Sequence, residues 1–310
     1  MVVRVAILDD YQRVALTIAD WSSVASQLQI DVFTDTLTDE ESLAKRLEPY
    51  EIICAMRERT KFFPSLLDQL PNLRLIATTG ASNRGIDVGY AKEKGILVSG
   101  TGGAGNPMAE AIWALILGVT RYLVTEHMNV RAGNPQWQTV VPMGLSGATL
   151  GLIGVGRLGS LTAKARWSSN LTPERAAEAG VEFIASKEEL LEQSDIVSLH
   201  LVLSERSKHT IGAAELDLMK PTAFLINTSR GPLIDESALV EVLKNKKIAG
   251  AGLDVFDQEP LPLDHPLRTM DNVTISPHNG YVNDTNYKVF WGETVENIRA
   301  YLDGKPRALM

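Results

Sequence analysis

The first hundred residues alternate short apolar, β-branched runs with segments of helical periodicity. The helical segments lie near residues 12–28, 40–47, 64–70 and 86–94. Strands that alternate with helices in this way are typical of a parallel sheet with helices on both faces. The runs predicted to be strands are VVRVAIL, IDVFT, EIICAM, LRLIATT and GILVSG.

A second series of the same kind begins near residue 148, after a glycine-rich joint and a long apolar segment. That segment predicts one helix from about residue 107 to about 124, and a helix that is apolar on all sides is usually buried. Residues 284–303 predict a closing helix. The pattern therefore predicts an α/β protein with two doubly wound parallel sheets. The strands predicted in the second series are TLGLIG, DIVSLHL, TAFLINT, AGAGLDVF and NVTISPH.

Composition narrows the class of protein. Of the 310 residues, 45% are hydrophobic and 22% are charged, which is the range of globular proteins. The net charge of -8 argues against a nucleic-acid partner, which requires a basic face. Cys54 is the only cysteine, so the sequence has no disulfide framework and no cysteine-based metal site. We expect a cytoplasmic protein with no metal and no membrane span, since the longest apolar stretch, 111–119, is far below about 18 residues.

A glycine loop follows the predicted strand TLGLIG. Gly154, Gly156 and Gly159 form a G-x-G-x-x-G sequence that encloses Arg157 and Leu158. Glycines at these positions let backbone N–H groups approach a pyrophosphate at the N-terminus of the next helix. A plain glycine turn is the alternative. The position between a strand and a helical pattern favours a dinucleotide site.

Three polar residues follow predicted strands of the second series. Arg230 comes after TAFLINTS, Glu259 lies in DQEP, and His278 lies in SPHNG. A guanidinium can hold a carboxylate with two parallel hydrogen bonds, and histidine exchanges protons near neutral pH. A neighbouring carboxylate would favour the imidazolium form. Singly, each has a structural alternative: a surface arginine, a solvated glutamate and a loop histidine. Together, at the edge where ligands bind to open parallel sheets, they predict a catalytic set.

Other residues at strand ends carry weaker predictions. His200 ends DIVSLH and is either a cofactor contact or a histidine at the core edge. Asp254 is either a turn residue or a contact to a nicotinamide amide. Arg57 and Arg59 would reach an anionic substrate or belong to a solvated loop. The segment TTGASNRGID offers backbone N–H groups after another strand.

Four motifs resemble those of the D-isomer-specific 2-hydroxyacid dehydrogenases, a family that includes phosphoglycerate, glycerate and hydroxypyruvate/glyoxylate-type enzymes. The resemblance extends over nearly the whole chain and keeps the family's order of motifs. They are GLIGVGRLG, MKPTAFLINTSRGPLIDESAL, IAGAGLDVFDQEPLP and SPHNGY.

The resemblance implies a Rossmann-type dinucleotide domain, residues 100–283, inserted in a flavodoxin-like substrate domain made of residues 1–99 and 284–310. It implies an NAD(P)-dependent oxidoreductase that transfers hydride between the cofactor and C2 of a small D-2-hydroxy acid or 2-keto acid. Members are typically homodimers joined through the long helix region after the first hinge.

The family's functional residues can be carried over where the motifs match. Its catalytic arginine, glutamate and histidine fall on Arg230, Glu259 and His278, and its substrate-carboxylate loop falls on Ala81 and Ser82. His-x-Pro of the family is here His200-Leu201-Val202, which weakens that cofactor contact. Its threonine-proline-glycine after the hinge is here Thr101-Gly102-Gly103. The implied cofactor contacts are Gly154, Gly156, Arg157, Leu158, Gly159, Thr228, Asp254 and His200.

The segment after the glycine loop is shorter than in the family, by about ten residues. A parallel crossover needs about a dozen residues before the second strand is counted, so residues 160–171 are too few for helix, turn and strand. Either the second strand of this domain is absent or truncated, or the sequence lacks a segment near Ala165-Arg166. We expect the chain to fold around its other strands and to bind nicotinamide dinucleotides poorly.

The same segment bears on the choice of cofactor. No Asp or Glu occurs in residues 160–173, so the carboxylate that usually holds the ribose 2′-OH of NAD is missing. Arg166, Ser168 and Ser169 would accept a 2′-phosphate better, which favours NADP over NAD. The sequence thus predicts a dehydrogenase with an Arg–Glu–His site. The rival hypothesis is a catalytically impaired dinucleotide sensor or scaffold on the same fold.

Overall fold

The computed structural model describes residues 2–154, 165–167, 172–178 and 181–310; the remaining residues lie outside the described part of the chain. The chain forms two compact units. Unit 1 comprises Met1–Gly105 and Val282–Met310, and unit 2 comprises Asn106–Tyr281. The substrate-binding and dinucleotide-binding roles suggested by the sequence remain predictions.

Unit 1 is built on a five-stranded parallel sheet with the order β2-β1-β3-β4-β5. This is the flavodoxin-like order of a doubly wound sheet. The middle strand, residues 52–55, is apolar and buried along its whole length, as is typical of a sheet covered by helices on both faces. The strands are β1 (Val3–Ile7), β2 (Leu28–Val32), β3 (Ile52–Ala55), β4 (Leu75–Thr78) and β5 (Leu97–Ser99). The helices are α1 (Ala15–Ile18), α2 (Glu40–Leu47), α3 (Pro64–Leu67), α4 (Val88–Glu93) and, returning from the end of the chain, α11 (Asp284–Leu302).

Where the sequence predicts one helix over residues 12–28, the structure has the four-residue α1 and a 3-10 turn over Ala25–Gln27. α1 ends at Ile18, and Ala19 is extended with φ -131°. The Asp20 carboxylate accepts a hydrogen bond from the backbone N–H of Ser22 at 2.9 Å. Such local side-chain bonds offer the backbone an alternative to the helix, which explains why the periodicity does not continue as helix.

Unit 2 is built on a seven-stranded parallel sheet with the order β12-β11-β10-β9-β6-β7-β8. Apart from its last strand, this is the Rossmann order, in which the chain starts at a central strand and builds outward in both directions. The strands are β6 (Leu150–Ile153), β7 (Ala165–Trp167), β8 (Glu182–Phe183), β9 (Ile196–Leu199), β10 (Phe224–Asn227), β11 (Gly250–Leu253) and β12 (Val273–Ile275). The helices are α5 (Pro107–Thr120), α6 (Leu123–Arg131), α7 (Pro173–Glu178), α8 (Lys187–Gln193), α9 (Ala213–Leu218) and α10 (Glu236–Lys244).

The second strand of this sheet is present. β7 pairs in parallel with residues 151–153 of β6 on one side and with β8 on the other. The interpretation that the strand is absent is therefore wrong. Three residues carry too little periodicity to be recognised in a sequence, and pairing with two neighbours stabilises them instead. The crossover between β6 and β7, residues 155–164, lies outside the described residues, so its shortening stays a prediction.

The long apolar segment forms two helices rather than one. α5 ends at Thr120, and Tyr122 adopts a left-handed conformation with φ 52° before α6 begins. Within the described part of the chain, no single helix is long and apolar enough to cross a membrane. α5 and α6 pass that test only as a pair, and they are bent by 61° at the break.

Candidate active site

Three neighbouring strands of unit 2 bring the predicted catalytic residues to one edge. Arg230 lies three residues after the end of β10, Glu259 six residues after β11, and His278 three residues after β12. β10, β11 and β12 are adjacent and parallel, so their carboxyl ends lie side by side. Ligands of open parallel sheets bind at this edge.

Glu259 and His278 are in direct contact. Oε2 of Glu259 lies 2.6 Å from Nδ1 of His278, and Oε1 accepts a hydrogen bond from the backbone N–H of Phe256 at 2.9 Å. The side chains are 33% and 24% exposed, so the pair is reachable from solvent without being fully hydrated. The Tyr281 ring packs edge-on against the imidazole, with ring centroids 5.8 Å apart. The carboxylate fixes the orientation of the ring and turns Nε2 away from it.

A close backbone approach connects Arg230 to the segment that carries Glu259. A Cβ atom on Gly231 would lie 2.1 Å from the carbonyl carbon of Phe256, so only glycine fits there. Asn227 fixes the turn from the other side, because its Nδ2 donates to the carbonyl oxygen of Arg230 at 2.9 Å. The half-buried Arg230 donates from Nη1 to the carbonyl oxygen of Ser229 at 2.7 Å. The turn thus holds the arginine at the same sheet edge as the Glu259–His278 pair.

The predicted cofactor residues that follow strands are placed at the same edge. Thr228 and Asp254 are buried. The Asp254 carboxylate accepts three hydrogen bonds, from Ser276 Oγ at 2.6 Å and from the backbone N–H groups of Asn279 and Gly280, each at 2.9 Å. Asp254 therefore contacts the loop that carries His278. Neither Ser276 nor Gly280 stood out in the sequence, because both contacts cross more than twenty residues of chain.

The start of the glycine loop fits a dinucleotide site. Gly154 has φ 103°, and a Cβ atom there would lie 2.8 Å from the carbonyl carbon and oxygen of His200. The position therefore has room for glycine alone, as expected for the tight first turn of a pyrophosphate-binding loop. His200 follows β9, and its backbone N–H donates to the carbonyl oxygen of Ile153 at 2.8 Å. Gly156, Arg157, Leu158 and Gly159 lie outside the described residues.

In unit 1, Arg57 contacts the loop that contains Ala81 and Ser82. Its Nη1 donates to the carbonyl oxygens of Thr79, at 3.2 Å, and of Ser82, at 3.4 Å. A Cβ atom on Gly80, which has φ 88°, would lie 1.6 Å from the same Nη1. The guanidinium therefore crosses the loop over a position that only glycine allows. Ala81 and Ser82 are exposed and line a cavity of about 560 Å³ within this unit.

Burial shifts the pKa of Cys54 and of Asp9 in unit 1. Burial raises the pKa of the Cys54 thiol to about 12, so this side chain stays protonated and is unsuited to act as a nucleophile. Burial also raises the pKa of the Asp9 carboxyl above its usual value, against the opposing effect of hydrogen bonds from Thr36 and Thr60. Arg59 donates from Nη1 to the carbonyl oxygen of Asp9 at 2.8 Å and lies over the Tyr11 ring. Arg59 is thus tied to its own unit by backbone and ring contacts.

Among the described residues, no cluster of three or more His, Cys, Asp or Glu side chains could hold a metal ion. The chemistry that the described side chains offer is anion binding by arginine and proton transfer by a carboxylate-supported histidine.

Comparisons with known proteins place the chain in a family. The family described as D-isomer specific 2-hydroxyacid dehydrogenase, NAD binding domain, matches residues 113–280. A glyoxylate reductase from Aeropyrum pernix is 38% identical over 257 residues, which cover 77% of this chain and 76% of that protein.

Two solved structures are similar over almost their full length. The phosphoglycerate oxidoreductase from Vibrio cholerae o395 has a TM-score of 0.90 at 33% identity, covering 97% of this chain and 99% of that one. The D-lactate dehydrogenase from Aquifex aeolicus, complexed with NAD and lactic acid, has a TM-score of 0.75 at 28% identity, covering 97% and 96%.

Proposed function

The chain belongs to the D-isomer specific 2-hydroxyacid dehydrogenase family, and on that premise we propose that it reduces a small 2-keto acid to the D-2-hydroxy acid with NAD(P)H. The observation that carries the proposal is the 2.6 Å contact between His278 and Glu259, which follow the neighbouring strands β12 and β11. β11 also pairs with β10, the strand that leads to Arg230. The glyoxylate reductase and D-lactate dehydrogenase named above act on small acids of this class.

The residues of unit 2 divide the reaction between them. Arg230 binds the substrate carboxylate with its planar guanidinium and so orients the neighbouring carbonyl group. Bound nicotinamide would supply the hydride that reaches C2. His278 donates the proton from Nε2 to the carbonyl oxygen, which becomes the hydroxyl. Glu259 stabilises the charged imidazole through Nδ1 before the transfer.

For unit 1, the proposal gives the loop at Ala81 and Ser82 an anion-binding role. The exposed backbone at Ala81 and Ser82 would donate N–H groups, and Arg57 would reach the substrate or hold this loop in shape. The contacts of Arg57 with the carbonyl oxygens of Thr79 and Ser82 support the second role.

The preferred cofactor is proposed to be NADPH. β7 is the second strand of the sheet, and the acidic residue that holds the ribose of NAD usually follows that strand. The sequence after β7 continues Ser168, Ser169, Asn170, with no carboxylate. Calorimetric titration of NADPH and NADH into the same protein tests this, and tighter binding of NADH would contradict it.

Turnover of small keto acids tests the proposal as a whole. Oxidation of NADPH and of NADH is followed by absorbance with glyoxylate, hydroxypyruvate and pyruvate in turn. We expect turnover with at least one of them. Measurable cofactor binding without turnover of any keto acid would instead support the sensor or scaffold hypothesis.

We also propose a homodimer joined through α5 and α6. These helices and the segment after them expose a set of large apolar side chains that a monomer would leave in water. Light scattering of the purified protein tests the dimer, and Met128→Glu should shift it to monomer. A monomeric wild type would contradict the proposal. The exposed side chains are Trp113, Leu117, Leu123, Val124, Met128, Val130, Trp137 and Val141.

A further inference from the structure

His278 occupies a backbone conformation that requires support. Its φ is 52°, in the left-handed region that residues with a side chain rarely adopt. Its loop, residues 276–280, begins just after the short strand β12, which ends at Ile275. The residue at this position is not a glycine, which would adopt the left-handed conformation without strain. Contacts from elsewhere in the fold stabilise this conformation.

Asp254 supplies these contacts from the end of β11. The residue is fully buried, with 0% of its surface exposed. Its Oδ1 accepts from Ser276 Oγ and from the backbone N–H of Asn279, and its Oδ2 accepts from the backbone N–H of Gly280. The carboxylate thus binds the loop on both sides of His278, two residues before it and one and two residues after it.

The loop is shaped to admit this carboxylate. A Cβ atom on Gly280 would lie 2.9 Å from Oδ2 of Asp254 and 2.7 Å from Sδ of Met108. Glycine at 280 therefore lets the backbone approach the carboxylate closely. Each oxygen of Asp254 accepts at least one hydrogen bond from the loop, so the carboxylate holds the loop.

We propose that Asp254 is a positioning residue that holds His278 in place for proton transfer, through its hydrogen bonds to residues 276, 279 and 280. The proposal rests on the proposed function, because it takes His278 to be the proton donor. It differs from the sequence-based expectation that Asp254 contacts the nicotinamide.

Asp254→Asn changes the hydrogen bonding with little change of shape. An amide has one acceptor oxygen, and its NH₂ group cannot accept from a backbone N–H. At least one of the N–H groups of Asn279 and Gly280 then loses its partner, and the loop shifts. The matched control is Asp195→Asn, since Asp195 also accepts a hydrogen bond from a backbone N–H, that of Thr149. These two residues lie just before β9 and β6, at the amino-terminal ends of the strands.

The first measurement uses the cofactor-free protein. The chain has five histidines, and His278→Ala identifies the His278 signal in proton–nitrogen NMR spectra of the imidazole rings. We expect Asp254→Asn to shift this signal and Asp195→Asn to leave it in place. An unshifted signal in Asp254→Asn would overturn the proposal.

The second measurement separates positioning from cofactor contact. We expect Asp254→Asn to lower kcat about tenfold or more and to leave the Kd for NADPH within about twofold. A large loss of cofactor affinity with an unshifted His278 signal would assign Asp254 to the cofactor. If the wild type turns over no keto acid, the proposed function fails, while the NMR measurement still tests the positioning.

Gly280→Ala provides an independent variant in case Asp254→Asn does not fold. It keeps the carboxylate and pushes a methyl group against Oδ2. The His278 signal should move here as well, and Ser276→Ala, which removes one donor of three, should move it less. A His278 signal that stays in place in both variants would overturn the proposal.

Discussion

Nδ1 of His278 lies 2.6 Å from Oε2 of Glu259, and the other oxygen of that carboxylate accepts a hydrogen bond from the backbone N–H of Phe256. The hydrogen bond from Phe256 therefore holds the Glu259 carboxylate in place, and the carboxylate in turn orients the His278 ring. The arrangement leaves Nε2 as the ring nitrogen that faces away from the carboxylate, and it makes the roles of the two residues separable by mutation.

His278→Ala should lower kcat for keto-acid reduction by about 10²–10⁴-fold, the usual contribution of a general acid. Steady-state kinetics at saturating substrate measure the effect. His265→Ala is a matched control, because His265 also pairs with a glutamate, Glu236, at 3.1 Å in the same unit. Equal losses in the two variants would mean that the effect is structural.

Glu259→Gln should move the alkaline limb of the rate–pH profile to lower pH. A neutral amide stabilises a charged imidazole less than a carboxylate does, while it can still accept the bond from Phe256 N–H. The profile of kcat/KM against pH measures the shift. Glu241→Gln, an exposed change on α10, is the control. An unchanged profile in Glu259→Gln would remove this residue from the mechanism.

Arg230→Lys should reduce kcat/KM at least tenfold, which corresponds to about 1.4 kcal/mol. Lysine keeps the positive charge but loses the planar two-point grip that sets the angle of the carbonyl group. Initial rates at low substrate concentration measure it, with the exposed Arg206→Lys as control. Near-normal turnover in Arg230→Lys would show that the arginine only attracts anions.

Gly80→Ala should raise KM for the keto acid about tenfold and should cost more stability than Gly95→Ala. Both glycines have positive φ, and in each an alanine costs about 1–2 kcal/mol of backbone strain. Only at Gly80 does the new methyl group meet the Arg57 guanidinium and displace it from the loop at Ala81 and Ser82.

Urea unfolding and steady-state kinetics on the same two variants measure these effects. Because a Cβ at Gly95 meets no atom within 4 Å, that variant reports backbone strain alone. If both variants change KM equally, the contact between Arg57 and the loop does not matter for substrate binding.

Asp9→Asn should raise the free energy of unfolding at neutral pH and should change that free energy little in acid. Burial raises the pKa of this carboxyl in the folded state, so the folded protein binds the proton more tightly than the unfolded chain. Stability from this group is complete below the unfolded pKa, about 4, and is lost as pH rises through the folded pKa. Asparagine tolerates the left-handed φ of 58° at this position.

Urea unfolding at several pH values measures the difference between variant and wild type, which should grow as pH rises. Asp39→Asn should show the opposite trend, because the hydrogen bonds from Ser42 at the start of α2 lower the pKa of Asp39. A difference for Asp9→Asn that does not depend on pH would show that its charge is not the source of the effect.

The sequence predicted much of the fold because strands and helices here have strong local patterns. α2 forms over residues 40–47 as predicted, with Asp39 accepting from the backbone N–H of Ser42 at its start. The break at Tyr122 was not predictable, because the apolar pattern continues through it. The strand β7 was not predictable, because it is only three residues long.

The sequence predicted that Arg230, Glu259 and His278 lie at one edge of a sheet, and their catalytic roles stay a prediction. Each follows an apolar run of strand length, and parallel strands place their carboxyl ends at one edge. The direction of each strand and the spacing of the polar residues after it are local properties, so the sequence determined which side chains reach that edge.

Only the tertiary structure decided how these side chains are held. Asp254 binds the loop around His278 across 22 to 26 residues of chain, and Arg57 binds the loop at Ser82 across 25. Such contacts depend on which strands become neighbours and on how closely two backbones approach. Local periodicity encodes which face of an element is buried, but the partner of a buried polar group is set by packing between distant segments.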